Sequence, residues 1–220
     1  RGFAYELEQQ GINVKRLEFD QPKDFKLPNK NFLIKNNISV LLIFYAGSST
    51  NLDNQLPLFK KKFPEIIIIN ELGDEPQTQK HNLIRAENSH ISLSPDYESY
   101  LYWKDKGHNC HWFTHWADET IFYNTNNPKR KILIGTSMGR RKYGLMLKII
   151  FFGNFQNKFL IDEENTLFYN NVKVAFQYAR YSEITRRIFE AASCGCCVVT
   201  NKLPKSKRLE KIFKHNQNII

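Results

Sequence analysis

Short apolar runs alternate with segments of helical period along most of this 220-residue chain. The runs are ISVLLIFYAG, EIIIINELG, HISLS and CHWFTHW in the first half, and KILIGTS, KFLI, VKVAF and CCVVT in the second. The nearly continuous ones are typical of strands that are covered on both faces. Helical periods lie between them, at residues 54–63, 77–87, 96–106 and 141–152. This alternation predicts an α/β fold with parallel sheets and right-handed crossovers.

The two ends of the chain fit the same pattern only in part. Residues 2–10 have a helical period, and INVKRLEF, at residues 12–19, is predicted to be a strand. The first helix would belong to a Rossmann unit whose leading strand is missing, and the last residues enter a strand without a following helix. We therefore expect the chain to be a fragment of a longer protein.

A polar stretch without periodicity, ADETIFYNTNNPKRK, interrupts the alternation near the middle of the chain. We place a domain boundary there, with an N-terminal domain at residues 1–123 and a C-terminal domain at residues 124–220. Strand and helix patterns continue on both sides of it. The prediction is two Rossmann-like domains that face a cleft.

Composition limits the classes of protein to which the chain can belong. A 41% apolar content is enough for a hydrophobic core, and no apolar run is long enough to span a bilayer. We predict a cytoplasmic protein. The formal charge of +10 is compatible with a nucleotide diphosphate, an anionic membrane surface or nucleic acid as partner, or with a composition bias of the genome. Four cysteines, three of them nearly adjacent, form neither a disulfide framework nor a complete zinc site.

The richest candidate site is ARYSEITRRIFEAASCGCCVVTN, residues 179–201. A helix is predicted to begin at Ser182, directly after a strand, and to carry Arg186, Arg187 and Glu190 on one side. Helix N-termini at the carboxyl ends of strands favour phosphate, and arginine adds bidentate contacts. The alternative is an ordinary surface helix with an Arg–Glu pair. The opposite side, expected to face the sheet, consists of Ile184, Ile188, Ala191 and Ala192.

This segment resembles the donor-binding segment of glycosyltransferases with the GT-B fold, particularly the group similar to the CgeB spore-maturation protein. The segments KILIGTSMGRRKYGL and SPDYESYLYWKDKGHNCHWFTHWADETIF resemble other parts of that group in the same order. The resemblance implies that Glu190 binds the donor ribose and that Arg186 or Arg187 binds the diphosphate. It also implies that Gly139 allows close approach of a phosphate, with positive charge from Arg140 or Arg141.

The resemblance implies transfer of a sugar, of hexosyltransferase type, from a nucleotide-diphosphate donor to an unknown glycan, lipid or protein acceptor. No cofactor or metal is expected, and the sequence contains no Asp-x-Asp motif. Asp74, which follows a predicted strand, is the candidate catalytic carboxylate, although a turn-forming Asp is the alternative. The histidines are scattered, and packing is the expected role of His111 and His115.

Two other functions remain open at this stage. One is a non-catalytic relative that keeps the fold for binding or structure. The other is a basic nucleic-acid-binding protein, although no zinc finger or RNP-like aromatic motif is present. No specific nucleic acid is expected as a partner, while contact with a membrane surface stays open.

Overall fold

The computed structural model describes residues 2–19, 21–44, 46–137, 154–179, 184–204 and 209–213. The chain divides into two compact units, Lys15–Thr114 and Arg1–Val14 together with His115–Ile220. We call them the N-terminal unit and the C-terminal unit. Residues 115–123 therefore group with the C-terminal unit, and the predicted boundary at residues 123 and 124 stays a prediction. None of the helices within the described ranges is long and apolar enough to cross a membrane.

The N-terminal unit is a four-stranded parallel sheet with the order β1-β2-β3-β4. Its strands are β1 (Val40–Ile43), β2 (Ile67–Glu71), β3 (Ile91–Ser94) and β4 (Cys110–Trp112). Its helices are a 3-10 turn (Pro22–Asp24), α2 (Lys30–Lys35), α3 (Thr50–Lys62), α4 (Gln79–Asn88) and α5 (Tyr97–Asp105). Because helices separate consecutive strands, each pair is parallel, as the alternation predicts.

Side-chain caps determine where the helices of this unit begin. Ser49 accepts a hydrogen bond from the Leu52 N–H at 3.2 Å and starts α3. Asp96 accepts from the N–H groups of the first turn of α5, at 3.1 and 3.2 Å. These bonds satisfy N–H groups that have no partner inside the helix. The apolar faces of β1, β2, α2 and α3 then form one core, which contains Leu33, Ile43, Leu52, Leu56, Phe59 and Ile68.

The C-terminal unit contains a second parallel sheet, with the order β6-β5-β7-β8. Its strands are β5 (Ile132–Thr136), β6 (Phe155–Asn157), β7 (Val172–Gln177) and β8 (Cys197–Thr200). Its helices are α1 (Gly2–Gln9), α6 (Asp162–Tyr169), α7 (Arg186–Ser193) and α8 (Leu209–Ile212). The core between α6, α7 and the sheet includes Ile121, Phe122, Phe168, Tyr169, Val172, Ala175 and Ala191.

Arg130 joins the polar stretch before β5 to the helix ends of this unit. Its guanidinium donates to the carbonyl oxygens of Tyr169 and Val172, both at 2.8 Å, and to that of Cys194 at 2.7 Å. Carbonyls at helix C-termini lack partners within the helix, so a cation there is favourable. A stretch without periodicity in the sequence is thus held by a partly buried set of hydrogen bonds.

Three predicted elements differ from the structure in type, position or burial. INVKRLEF is not a strand: residues 12–19 have no regular structure and are mostly exposed, because they do not pair with a neighbouring strand. The strand predicted at KFLI lies earlier, at Phe155–Asn157, and Phe159 and Ile161 are 67% and 63% exposed. β1 is a strand as predicted, but it is less buried than expected: Val40 is exposed, Leu41 and Leu42 are half-buried, and Ile43 is buried. The helix predicted at residues 141–152 lies outside the described residues.

Candidate functional site

Helix α7 begins close to the carboxyl end of β7, but later than predicted. It runs from Arg186 to Ser193, and Thr185 occupies its N-cap position without a side-chain cap. Ser182, the predicted start, lies outside the described residues, and the described Ile184 and Thr185 precede the helix. The sequence places both arginines in the first turn, where the helix dipole is positive. In doubly wound folds this edge of the sheet is where ligands bind.

Glu190 faces the interior of the unit rather than solvent. Its side chain is 2% exposed, and its Oε1 lies 2.8 Å from Arg186 Nε in an ion pair along the helix. The Nδ2 of Asn165, on α6, donates to the other carboxylate oxygen at 3.1 Å. Burial raises the pKa of Glu190, and the nearby charges of Arg186 and Arg187 oppose that shift.

The apolar side of α7 differs from the prediction in one position. Ile184, Ile188 and Ala191 are buried as expected, whereas Ala192 is exposed. Glu190 takes a buried position on the helix because an amide of α6 meets it there. Arg186, Arg187 and Glu190 do lie together, as predicted. The Glu190 carboxylate is the buried member of this group, and the Arg186 side chain is half-exposed.

Arg187 connects α7 to the carboxyl end of β5. Its Nη1 donates to the hydroxyl of Ser137, the residue after β5, and Ser137 is fully buried. The guanidinium also lies over the ring of Phe159, 5.3 Å from the ring centroid. The start of one helix and the ends of strands β5 and β6 are thereby brought to one place.

Further buried polar groups lie at the ends of the same strands. Thr136, the last residue of β5, is fully buried, and its hydroxyl has no hydrogen-bond partner among the described residues. Gln177, at the end of β7, donates to the Tyr169 hydroxyl at 2.6 Å. Burial raises the pKa of Tyr169, an effect that the charge of Arg187 opposes, so the phenol stays protonated at neutral pH.

We call the group formed by Arg186, Arg187, Glu190 and Ser137 the arginine site.

Three residues predicted for this site cannot be compared with the structure. Gly139, Arg140 and Arg141 lie outside the described residues and stay predictions. Ser137 is two positions before Gly139 in the sequence and contacts Arg187. The described end of β5 is thus already part of the arginine site.

Asp74 lies in the turn between β2 and α4. It is exposed and has a φ of 55°, a conformation that Asp tolerates in turns. Its proposed catalytic role stays a prediction. The neighbouring Glu75 has the more unusual environment: its Oε1 accepts from Asn82 Nδ2 at 2.8 Å and from Trp103 Nε1 at 3.0 Å. Burial raises the pKa of Glu75, and these two hydrogen bonds oppose the shift.

A second polar cluster, absent from the prediction, lies at the starts of α3 and α4. The Asp53 carboxylate contacts His81 Nδ1 and also accepts from Arg85 Nε at 3.0 Å. Arg85 and Asp53 are buried, while the His81 side chain is 24% exposed. Within the described part of the chain, the His81 Nε2 makes no hydrogen bond. A histidine oriented by a carboxylate at one nitrogen is suited to exchange a proton at the other.

The positions of Asp53 and His81 in the sequence explain why the cluster was missed. The two residues are 28 positions apart, and neither belongs to a motif. The available signal is positional: each lies in the first turn of a helix that follows a strand, and β1 and β2 are neighbours in the sheet. Residues at such positions meet at the same edge of a parallel sheet.

Cys194 and Cys196 of the C-terminal unit are buried thiols, whereas Cys197 is exposed. Burial raises the pKa of Cys194 to about 11 and that of Cys196 to about 12, so both are thiols at neutral pH. Within the described ranges, His, Cys, Asp and Glu side chains form no group of three that is suited to a metal ion.

Comparisons with known proteins bear on the fold and on the general class of activity. Residues 130–220, which include β5 to β8 and the arginine site, match a family described as glycosyl transferase-like. The fold is similar to that of a sucrose-phosphate synthase from Thermosynechococcus elongatus, with 13% sequence identity and a TM-score of 0.53. The match covers 79% of this chain and 58% of that enzyme, so the chain spans little more than half of its length. A search of curated proteins found no match.

These comparisons confirm the predicted fold class, an α/β fold of the GT-B type with two parallel sheets. The similarity of residues 130–220 to glycosyl transferase-like proteins agrees with glycosyl transfer as the general activity that the sequence predicts. Membership of the CgeB-like group stays a prediction, as does the cytoplasmic location.

Proposed function

We propose that this protein transfers a hexosyl group from a nucleotide-diphosphate sugar to an acceptor, and that its C-terminal unit binds the donor at the arginine site. The observation that supports this most is the position of Arg187. Its guanidinium lies at the N-terminus of α7 and reaches the hydroxyl of Ser137 after β5. A cation, a helix N-terminus and the carboxyl ends of parallel strands together favour a diphosphate.

The diphosphate would be the leaving group of the reaction. As the bond between the sugar and the phosphate breaks, negative charge grows on the phosphate oxygens. Arg187 and the half-exposed Arg186 supply fixed positive charge near the dipole of α7. Electrostatic stabilisation of this kind acts most strongly where charge develops, so it lowers the barrier to transfer. We propose no cofactor beyond the donor.

Glu190 is proposed to accept hydrogen bonds from the ribose hydroxyls. Each of its oxygens already faces one protein group, Arg186 or Asn165. An ionised carboxylate has about four acceptor positions, so it retains capacity for a ribose. The same contacts orient the carboxylate, and the two arginines favour its ionised form.

The acceptor, a glycan, lipid or protein, is proposed to bind the N-terminal unit at the carboxyl edge of its sheet. His81 and Asp53 lie at that edge, at the starts of α3 and α4. Asp53 would hold the imidazole while Nε2 takes the proton of an acceptor hydroxyl. Asp74 is exposed and lies seven positions before His81 in the sequence, and it remains the alternative catalytic carboxylate.

Isothermal titration with UDP, GDP, ADP and their sugar derivatives tests the donor site. We expect the wild-type protein to bind at least one of them. Glu190→Ala should weaken that binding about 10- to 100-fold, because hydrogen bonds to a charged group contribute about 1.5–3 kcal/mol. Glu190→Gln keeps the shape but not the charge, and Glu164→Ala removes an exposed carboxylate of α6 as the matched control.

Equal affinity of wild type and Glu190→Ala would refute the role of Glu190. Failure of the wild type to bind any nucleotide would refute the donor site as a whole. Consumption of the bound sugar nucleotide, measured by release of the nucleoside diphosphate, distinguishes a transferase from a non-catalytic binding protein. Binding without consumption would favour the latter.

A further inference from the structure

We infer that the ring of Phe159 is the stacking platform for the nucleobase of the donor. This inference rests on the proposed donor site and adds to it a residue that no motif in the sequence indicates. Phe159 follows β6, at the carboxyl edge of the C-terminal sheet, and is 67% exposed. Single exposed apolar residues are common on protein surfaces, so exposure alone does not indicate a site. The contacts of the ring are what distinguish it.

One face of the Phe159 ring is already occupied. The guanidinium of Arg187 lies over it, with its central carbon 5.3 Å from the ring centroid. Arg187 is held in turn by the hydroxyl of Ser137. Because the ring is two-thirds exposed despite this contact, its other face is open to solvent. A flat ring with one face supported and the other free is suited to stacking a second flat ring.

Arg187 contacts both Ser137 and the ring of Phe159, and these contacts indicate where a nucleotide would lie. In a nucleoside diphosphate, one ribose separates the phosphates from the base. If the phosphates bind Arg187, the base falls within reach of the ring that Arg187 itself supports. The cation on the far face adds to the stack through its attraction to the π-system. Base, phenyl ring and guanidinium would then form three layers.

Stacking involves the face of a base and not its hydrogen-bonding edge, so it should raise the affinity for every base. Base–aromatic stacking contributes about 1–3 kcal/mol per base, which corresponds to about 5- to 100-fold in affinity. We therefore expect the ring of Phe159 to raise the affinity for pyrimidine and purine nucleotides alike. Inorganic pyrophosphate, which has no base, should gain nothing from it.

Titrations of Phe159 variants with nucleoside diphosphates and with pyrophosphate test the inference. Phe159→Ala should weaken each nucleoside diphosphate that binds the wild type about 5- to 100-fold and leave pyrophosphate binding unchanged. Phe159→Trp should retain nucleotide affinity, and its added indole fluorescence should be quenched on nucleotide binding. Leu167→Ala is the matched control, because Leu167 is also 67% exposed in the same unit.

Each outcome of this experiment decides the inference. Unchanged nucleotide affinity of Phe159→Ala overturns it, while the donor site stands if Glu190→Ala still weakens binding. An equal loss for nucleotides and pyrophosphate also overturns it, because the ring would then only support Arg187. Absence of quenching in Phe159→Trp shows that no base stacks there. If the wild type binds no nucleotide at all, the proposed function fails and this inference fails with it.

Discussion

Replacement of Arg187 by methionine should separate donor binding from folding. Methionine fills a similar volume without the charge, so the variant loses the bond to Ser137 and the contact with Phe159. At a partly exposed site the cation–π contact contributes about 0.5–1 kcal/mol to stability. The fold should survive, because the buried core of this unit is formed by other residues.

The effect on nucleotide binding should be larger than the effect on stability. A hydrogen bond from a cation to a charged group contributes about 1.5–3 kcal/mol, so loss of Arg187 should weaken a nucleoside diphosphate about 10- to 100-fold. Arg187→Lys retains the charge but not the planar, bidentate guanidinium, so it should lose less nucleotide affinity than Arg187→Met. Loss of positive charge should also flatten the dependence of affinity on salt concentration.

Isothermal titration at two salt concentrations, with thermal unfolding of each variant, measures both effects. Lys173→Met is the matched control, because Lys173 is an exposed cation on β7 of the same unit. If Arg187→Met binds like the wild type, or no worse than Lys173→Met, a specific contact between Arg187 and the diphosphate is refuted. A loss that occurs only together with unfolding would refute the reasoning as well.

Three further substitutions test other parts of the structure. His81→Gln should lower the rate of donor consumption without changing nucleotide affinity, because we propose His81, which contacts Asp53, for proton transfer at the acceptor and not for donor binding; a parallel loss of affinity would contradict this. The free energy of unfolding of Glu75→Gln, relative to that of the wild type, should increase as the pH rises above 4.5. Urea unfolding between pH 4 and 8 measures this difference. Gly135→Ala should lower the free energy of unfolding by about 1–3 kcal/mol, since its Cβ would lie 2.5 Å from Val172 Cγ2; an unchanged urea midpoint would show that the strands adjust freely.

The sign of the Glu75 effect follows from proton linkage. Because its pKa is raised in the folded state, the folded protein binds more protons than the unfolded chain between the two pKa values. The wild type therefore loses stability as the pH rises through that window, by up to about 1.4 kcal/mol for each unit of pKa shift. Glutamine does not titrate, so a stability difference that is independent of pH would contradict the prediction.

Local patterns in the sequence were sufficient for the order of the elements and for part of the site. The apolar runs that became β2, β5 and β7 carry enough signal on their own, because a buried strand must be apolar along its length. The spacing of Arg186, Arg187 and Glu190 is also local, since residues three and four apart share a helix side. These features need no knowledge of what the chain packs against.

Burial, pairing and contacts between distant residues required the tertiary structure. INVKRLEF has the composition of a strand, but a strand forms only where a neighbour pairs with it. Glu190 is buried because Asn165 meets it from another helix, 25 positions away. His81 meets Asp53 because two helices start at the same edge of a sheet.

The sequence by itself therefore determined that this protein is an α/β chain with two arginines and a carboxylate at the start of one helix, since periodicity and spacing are properties of neighbouring residues. Only the tertiary structure decided that the carboxylate is buried, that Arg187 reaches Ser137 and Phe159, and that a histidine and an aspartate meet in the other unit. The physical reason is that desolvation and hydrogen bonding depend on which distant segments the fold brings together.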